Sequence, residues 1–382
     1  MIRRLLRLLN RQREVKVTMI PLSKPIIGKE EKKLVLEVLN SGMLAQGQKV
    51  KEFEKNFAHL CGSKHAVAMN SGTAAIHACL YALGVKNNDE VITTPFTFVA
   101  SANPILMAGA NVIFCDIDEE TFNISPEQIK SKITENTKAI IAVDLYGQLA
   151  DYEAIKDVIA GTDIKIIGDA SQSVCAAYGE NMAGNMADVS AFSFYATKNM
   201  TTGEGGMLTT NDDHYAELAR RLRHHGQSEQ TRYMYFDLGY NYRMTDIQAA
   251  IGLGQLDRIQ KLTDKRISNA AYLTKGLSKF EFVKTPIIRP GSKHVFHQYT
   301  IRIEAAHRDA LIKHLKQKGV GCGVYYPKPL HLHPAFEKMG YKQGDFPVSE
   351  KMAKEVISLP VHPLLTQQEL DTIIAAVGSF NA

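Results

Sequence analysis

The sequence predicts an α/β fold built on a large, mostly parallel seven-stranded sheet, followed by a smaller C-terminal α+β unit. Three observations lead there. From about residue 19 to 260, short apolar runs alternate with helix-like patterns. The runs are rich in Val, Ile and Phe without polar alternation, as strands buried on both faces are. Most gaps between them are long enough for crossover helices, which parallel neighbours require.

The strand candidates are residues 65–69, 90–94, 111–116, 139–145, 164–170, 189–194 and 206–210. Helix starts are marked between and after them. Ser125-Pro126-Glu127-Gln128 combines an N-cap, Pro at the first helical position and a capping-box Gln. Thr245-Asp246-Ile247-Gln248 is a second capping box, followed by Ile251, Leu253 and Leu256. Beyond residue 260 the pattern changes: a helix near 262–279, a Pro/Gly turn at 285–292, a strand-like run at 298–303, and a helix over 307–318 stopped by Gly319. The three prolines in 325–334 predict extended chain. Thr366-Gln367-Gln368-Glu369 opens a last helix with Leu370, Ile373, Ile374 and Val377 on one face. The expected divisions are therefore 1–18, a basic extension; 19–260, the large domain; and 261–382, the small one.

Composition narrows the function. The 382 residues are 45% hydrophobic and 22% charged, as in an ordinary globular protein. Residues 1–18 hold six basic side chains against Glu14, which accounts for the whole net charge of +5. The remainder is formally neutral, so no nucleic-acid surface is expected. No apolar stretch spans a bilayer, and the N-terminus has no separate apolar segment followed by a small-residue cleavage site, so neither a transmembrane segment nor a secretory leader is expected. Leucines and arginines interleave there in a pattern suited to an anionic membrane surface, although a solvated or oligomer-contacting extension is the simpler reading. Cys61, Cys79, Cys115, Cys175 and Cys322 show no Cys-x-x-Cys pair; free thiols in a reducing, cytoplasmic setting are expected, with no metal site.

Three constellations carry chemistry. Asn70-Ser71-Gly72-Thr73 links a strand to an apolar helix, and such a turn exposes backbone N–H groups at the positive end of the helix dipole; it reads as a phosphate seat or as a plain cap. Asp169 ends a strand, where ligands sit in open parallel sheets; it can hold a heterocyclic nitrogen protonated, or merely cap a loop. Lys198 follows a buried-type strand in Ser193-Phe194-Tyr195-Ala196-Thr197-Lys198 and precedes Gly203-Glu204-Gly205-Gly206. A partly desolvated lysine there becomes a nucleophile.

With these residues in view, the chain resembles the DegT/StrS family of nucleotide-sugar aminotransferases. The resemblance rests on seven ordered segments: NSGTAAIHACLYALG at 70–84, DEVITTPFTFVASAN at 89–103, DLYGQLADYEAI at 144–155, GDASQS at 168–173, SFYATKNMTTGEGG at 193–206, GYNYRMTDIQAAIG at 239–252 and GVYYPKPLHLHP at 323–334. It implies the fold type I architecture of transferases dependent on pyridoxal 5'-phosphate (PLP), and amino transfer from L-glutamate to a nucleotide-linked keto sugar. By position it gives Lys198 the covalent hold on PLP and Asp169 the pairing with the ring nitrogen. It sets Gln172 near the ring hydroxyl and stacks Phe98 on the ring. Gly72, Thr73 and Ser193 fall at the phosphate, and Asn241 reaches it from the neighbouring subunit of a homodimer. Arg243, Tyr325 and His331 fall on the substrate side, His331 being open equally to a structural role. Tyr325 stands where many members have His, and Gly168 where Glu is common. Other readings stay open: a cyclitol or aminohydroxybenzoate precursor as acceptor, or a regulatory protein that keeps the fold without turnover. A sugar dehydratase of the same family would carry His, not Lys, at position 198.

Overall fold

All seven apolar runs become strands of one sheet. In a computed structural model of the protein, which describes residues 19–228, 231 and 233–381, they are β1 (His65–Met69), β2 (Glu90–Thr93), β3 (Asn111–Phe114), β4 (Thr137–Val143), β5 (Lys165–Asp169), β6 (Val189–Ser193) and β7 (Gly206–Thr210). The spatial order is β1-β7-β6-β5-β4-β2-β3. The pairs β2/β3, β2/β4, β4/β5 and β5/β6 are parallel, and β7 runs antiparallel to β1 and β6. The last residues of several predicted runs leave the ladder. Asp144 is one: its carboxylate turns to accept the Ala150 N–H at 2.9 Å and begins a loop.

Alternation explains why the runs are apolar throughout. Val67, Met69, Ile141, Val143, Ile167, Ala191 and Leu208 feed one core, while Ala66, Ala68, Ile140, Ala142, Ile166, Phe192 and Met207 feed the core on the opposite face. Among the described residues, ten helices of seven or more residues surround the strands: α1 (Lys29–Ser41), α2 (Gln48–Cys61), α3 (Gly72–Ala82), α4 (Tyr152–Val158), α5 (Asp213–Arg223), α6 (Asp246–Leu256), α7 (Ile259–Leu277), α8 (Ala305–Gln317), α9 (Pro347–Glu355) and α10 (Gln367–Gly378). Helix α3 is buried along almost its whole length, against β6, β7 and α5. Helix α2 covers the other face through Phe57, whose ring centroid lies 4.9 Å from Phe192 and 5.2 Å from Phe194.

A further core lies around the antiparallel pair β8 (Tyr299–Arg302) and β9 (Val356–Leu359). Leu273 and Leu277 of α7, Leu311 and Leu315 of α8, and Ile373 and Val377 of α10 fill it. Helix α7 straddles residue 260: Ile259 belongs to a sheet core and Leu277 to the small one. Ile20 joins the small core, whereas Leu330 and Phe336 join a sheet core, so the chain crosses between the units more than once.

The capping boxes at Thr245 and Thr366 form, with Gln248 and Glu369 reaching back. The one expected at Ser125 does not: its hydroxyl donates to Glu127 at 2.8 Å, and Pro126–Ile129 is a four-residue helix that passes into a 3₁₀ turn. Only Ile129 anchors it, too little burial to sustain a longer helix. Segment 325–334 is extended only in part, since Leu330–Leu332 forms a 3₁₀ turn. The Leu330 N–H donates to Pro95 O at 2.8 Å, which ties this turn to the loop after β2. The extension 1–18 lies outside the described residues. No helix among the described residues is long and apolar enough to cross a membrane.

Candidate active site

Because the parallel strands share one direction, their carboxyl ends open on one edge of the sheet. The loops there are Ser71–Thr73 after β1, Thr97–Ser101 after β2, Asp169–Gln172 at the end of β5 and Ser193–Lys198 after β6. All four line one cavity of about 630 Å³, with His297, Gln298, Val324, Tyr325 and Tyr326 closing it from the C-terminal half. That size suits a cofactor together with a substrate.

The walls follow from local sequence. In Phe192-Ser193-Phe194 the period of two sends both rings to the α2 side and Ser193 to the α3 side. There Ser193 meets the start of α3 so closely that a Cβ on Gly72 would lie 2.8 Å from Ser193 Cβ. Ser71 caps α3 by accepting the Ala74 N–H at 3.1 Å. The N–H groups of Gly72 and Thr73, in the first turn, have no intrahelical acceptor. Gly206 allows this approach: a Cβ on it would lie 2.2 Å from the Ser71 carbonyl oxygen.

Asp169 is buried and held from two sides. Ser101 Oγ donates to its Oδ2 at 2.6 Å, and the Ser171 N–H to its Oδ1 at 3.2 Å. Since the Ser101 hydrogen is given to Asp169, the Thr97 hydroxyl, 2.9 Å away, donates to Ser101. Lys198 lines the same cavity. Burial brings its ammonium down to about 8, with the Asp169 charge pulling the other way. His297 is held neutral, well below the usual imidazole range, by burial and by the charges of Lys198 and Arg266.

The model of the DegT/DnrJ/EryC1/StrS aminotransferase family matches residues 25–378. The chain belongs to that family. The spore coat polysaccharide biosynthesis protein SpsC of Bacillus subtilis is 40% identical over 374 residues, 94% of this chain and 96% of that protein. The GDP-perosamine synthase of Caulobacter vibrioides is 37% identical over 94% of this chain and 97% of that protein. Among solved structures, the PLP form of the putative sugar aminotransferase Spr1654 of Streptococcus pneumoniae superposes with a TM-score of 0.89 at 30% identity, covering 94% of this chain and 97% of that one. The protein is thus a PLP-dependent aminotransferase.

The residues of this DegT-type aminotransferase fit PLP. The free N–H groups of α3 with Ser193 suit a phosphate. The Asp169 carboxylate keeps lone pairs for a ring N–H, and Phe98, 57% exposed beside the cavity, offers a face for stacking. Gln172 lines the cavity too; its Oε1 accepts the Tyr146 N–H at 2.8 Å and its Nε2 faces Tyr326 Oη at 3.4 Å. Tyr325 is also in the wall.

Three expected site residues are elsewhere. Asn241 is exposed and Arg243 half-buried, the latter with Nη1 2.7 Å from His224 Nδ1; neither lines this cavity. His331 is fully buried, with Nε2 3.0 Å from Glu350 Oε1 and its ring against Phe346. It is a structural histidine: the 3₁₀ turn carries it inward, away from the cavity.

Sequence reasoning passed over Thr97, Ser101 and His297. It also passed over Asp144, whose carboxyl burial raises to about 7 although Ser173 Oγ, Tyr152 Oη and the Ala150 N–H all donate to it. Ser101 and Thr97 were within reach, since both flank Phe98 in the loop after β2; nothing in the sequence sets His297 apart from the other twelve histidines.

Proposed function

We propose that this aminotransferase moves an amino group from L-glutamate to a keto sugar carried by a nucleotide, in the cytoplasm, as a homodimer with shared active sites. The observation that carries the reading is the convergence of Lys198, Asp169 and the Gly72–Thr73 turn on one cavity that stays open at Phe98 and Tyr195. Kinship with a GDP-perosamine synthase supports a nucleotide-linked acceptor.

Bound PLP supplies an electron sink for the charge left on the donor α-carbon. Lys198 would hold the cofactor, and its Nζ, when free, would take up the proton of the donor α-carbon and later return one to the product carbon. Neutral Nζ is needed for this, and burial makes it available near pH 8. Asp169 would pair with the ring nitrogen, and the Ser101 and Ser171 donors hold its carboxylate in place. Gly72, Thr73 and Ser193 seat the phosphate, and Phe98 covers the ring. The donor's keto acid leaves before the acceptor reacts in the same site, so ping-pong kinetics follow. Asn241 and Arg243 act across the dimer, on the phosphate and the nucleotide of the partner's site. Exposed Met234, Tyr235, Phe236 and Leu238 close by support such an interface.

The test is a panel of UDP-, GDP- and dTDP-linked 3-keto and 4-keto sugars offered with L-glutamate. One linked sugar is expected to be aminated with equimolar release of 2-oxoglutarate. Turnover confined to a free cyclitol would overturn the substrate reading.

A further inference from the structure

Behind Lys198, on the side away from the main cavity, lies a second and much smaller one. It sits between the segment Ser23–Ile26, the stretch Ala196–Asn199 and α7, and is a cavity of about 20 Å³. That holds one atom-sized guest, since a single water needs roughly 10–15 Å³ on the same scale.

Its charge is one-sided. Lys24, Lys198 and Arg266 line it, and no carboxylate does among the described residues. Arg266 is only 8% exposed. Its Nη1 donates to Phe296 O at 3.3 Å, and it forms no ion pair with a described carboxylate. Burial alone lowers it to about 10, with no neighbouring acid to offset the loss of water. A buried guanidinium with five donors and one carbonyl partner calls for an anion. Asn199 and Ser23 add neutral polar groups to the wall.

We propose that this cavity binds one monatomic anion of halide size, held by Arg266 and Lys24 and placed against Lys198. The site belongs to the polypeptide and does not depend on which sugar is aminated. Its consequence falls on the lysine: an anion there favours the charged form of the Lys198 nitrogen. Asp169, Glu204, Tyr326 and His297 face the lysine from the main-cavity side, and of these Asp169 alone pulls in the same direction in the structure.

The test uses holoenzyme crystals grown in sodium bromide and in sodium gluconate. An anomalous bromide peak in contact with Arg266 is expected in the first and not in the second. In solution at fixed ionic strength, replacing gluconate by bromide is expected to move the pH midpoint of the visible cofactor band upward, by roughly 1 unit. Lys24→Ala, a change at an exposed side chain, is expected to weaken the bromide dependence several-fold while the band itself persists. Arg266→Gln is expected to abolish the peak and the shift; if it fails to fold, Lys24→Ala decides alone. Ordinary water density at the site with bromide bound elsewhere in the same crystal overturns the proposal. So does a midpoint that ignores bromide, or one that shifts equally in Lys24→Ala.

Discussion

Lys198 differs from the other lysines in where the backbone sets it. It is delivered by β6 and the turn after it into a wall that is half protein, and burial costs it part of its proton affinity. The sign follows directly: below about pH 8 Nζ is protonated and lacks the lone pair that captures PLP. Covalent uptake of PLP by cofactor-free protein is therefore expected to quicken roughly tenfold per pH unit up to that point and then level off. Stopped-flow absorbance would measure it; a profile flat from pH 6 to 9 would contradict the assignment. Asp169 depends on its neighbours in the same way. Ser101→Ala removes one donor to a buried carboxylate, worth about 1.5–3 kcal/mol. It is expected to lower kcat by roughly 10–100-fold and to weaken PLP binding, read by fluorescence titration, with the fold intact. Lys198, Asp169 and the phosphate turn were legible in the sequence because their chemistry needs rare local patterns. Ser101 and Thr97 stood within reach beside Phe98, but nothing marked their part, because a hydroxyl in a loop becomes a relay only once another strand end brings a carboxylate to it.

At the scale of elements, two packing relations hold the cavity together. Helix α2 fixes β6 from behind through Phe57, and its own start is capped from a distance: the Asp246 carboxylate accepts the N–H groups of Gly47 at 2.8 Å, Val50 at 3.0 Å and Lys49 at 3.2 Å. Phe57→Ala is expected to cost about 3–5 kcal/mol of stability, measured by denaturant unfolding with the cofactor bound. The other relation is the approach of β7 to α3. Gly206→Ala would force a Cβ against the Ser71 carbonyl, a backbone atom that cannot step aside alone. PLP affinity is expected to fall at least tenfold with the far-UV spectrum unchanged; unaltered affinity would show that the helix start does not seat the phosphate. All seven strands could be read from apolar runs because both faces of the sheet are covered. Strand β9 could not, because Val356–Leu359 directly follows the helix α9 and has no turn residue before it to mark its start. The failed cap at Ser125 shows the reverse case, a good start signal with too little apolar surface behind it.

At the scale of the molecule, Asn241 and Arg243 lie outside the cavity of their own chain, next to exposed aromatic and aliphatic side chains. Sedimentation is expected to give twice 42.4 kDa. Mixing inactive Lys198→Ala with inactive Asn241→Ala is expected to restore roughly a quarter of wild-type activity, since half the dimers then carry one complete site. No recovery in proven mixed dimers would mean that each site is complete within one chain. The expectation of such a dimer comes only from the family resemblance: no pattern within a single chain says which surface meets a second copy.

The visible spectrum of the purified protein with L-glutamate, beside that of Lys198→Ala, tests the central claim most directly. In the wild type a visible cofactor band that glutamate bleaches, with release of 2-oxoglutarate, is expected, and no such band in the variant. A wild-type protein that stays colourless with added PLP, or a variant that keeps the same glutamate-sensitive band, would contradict it.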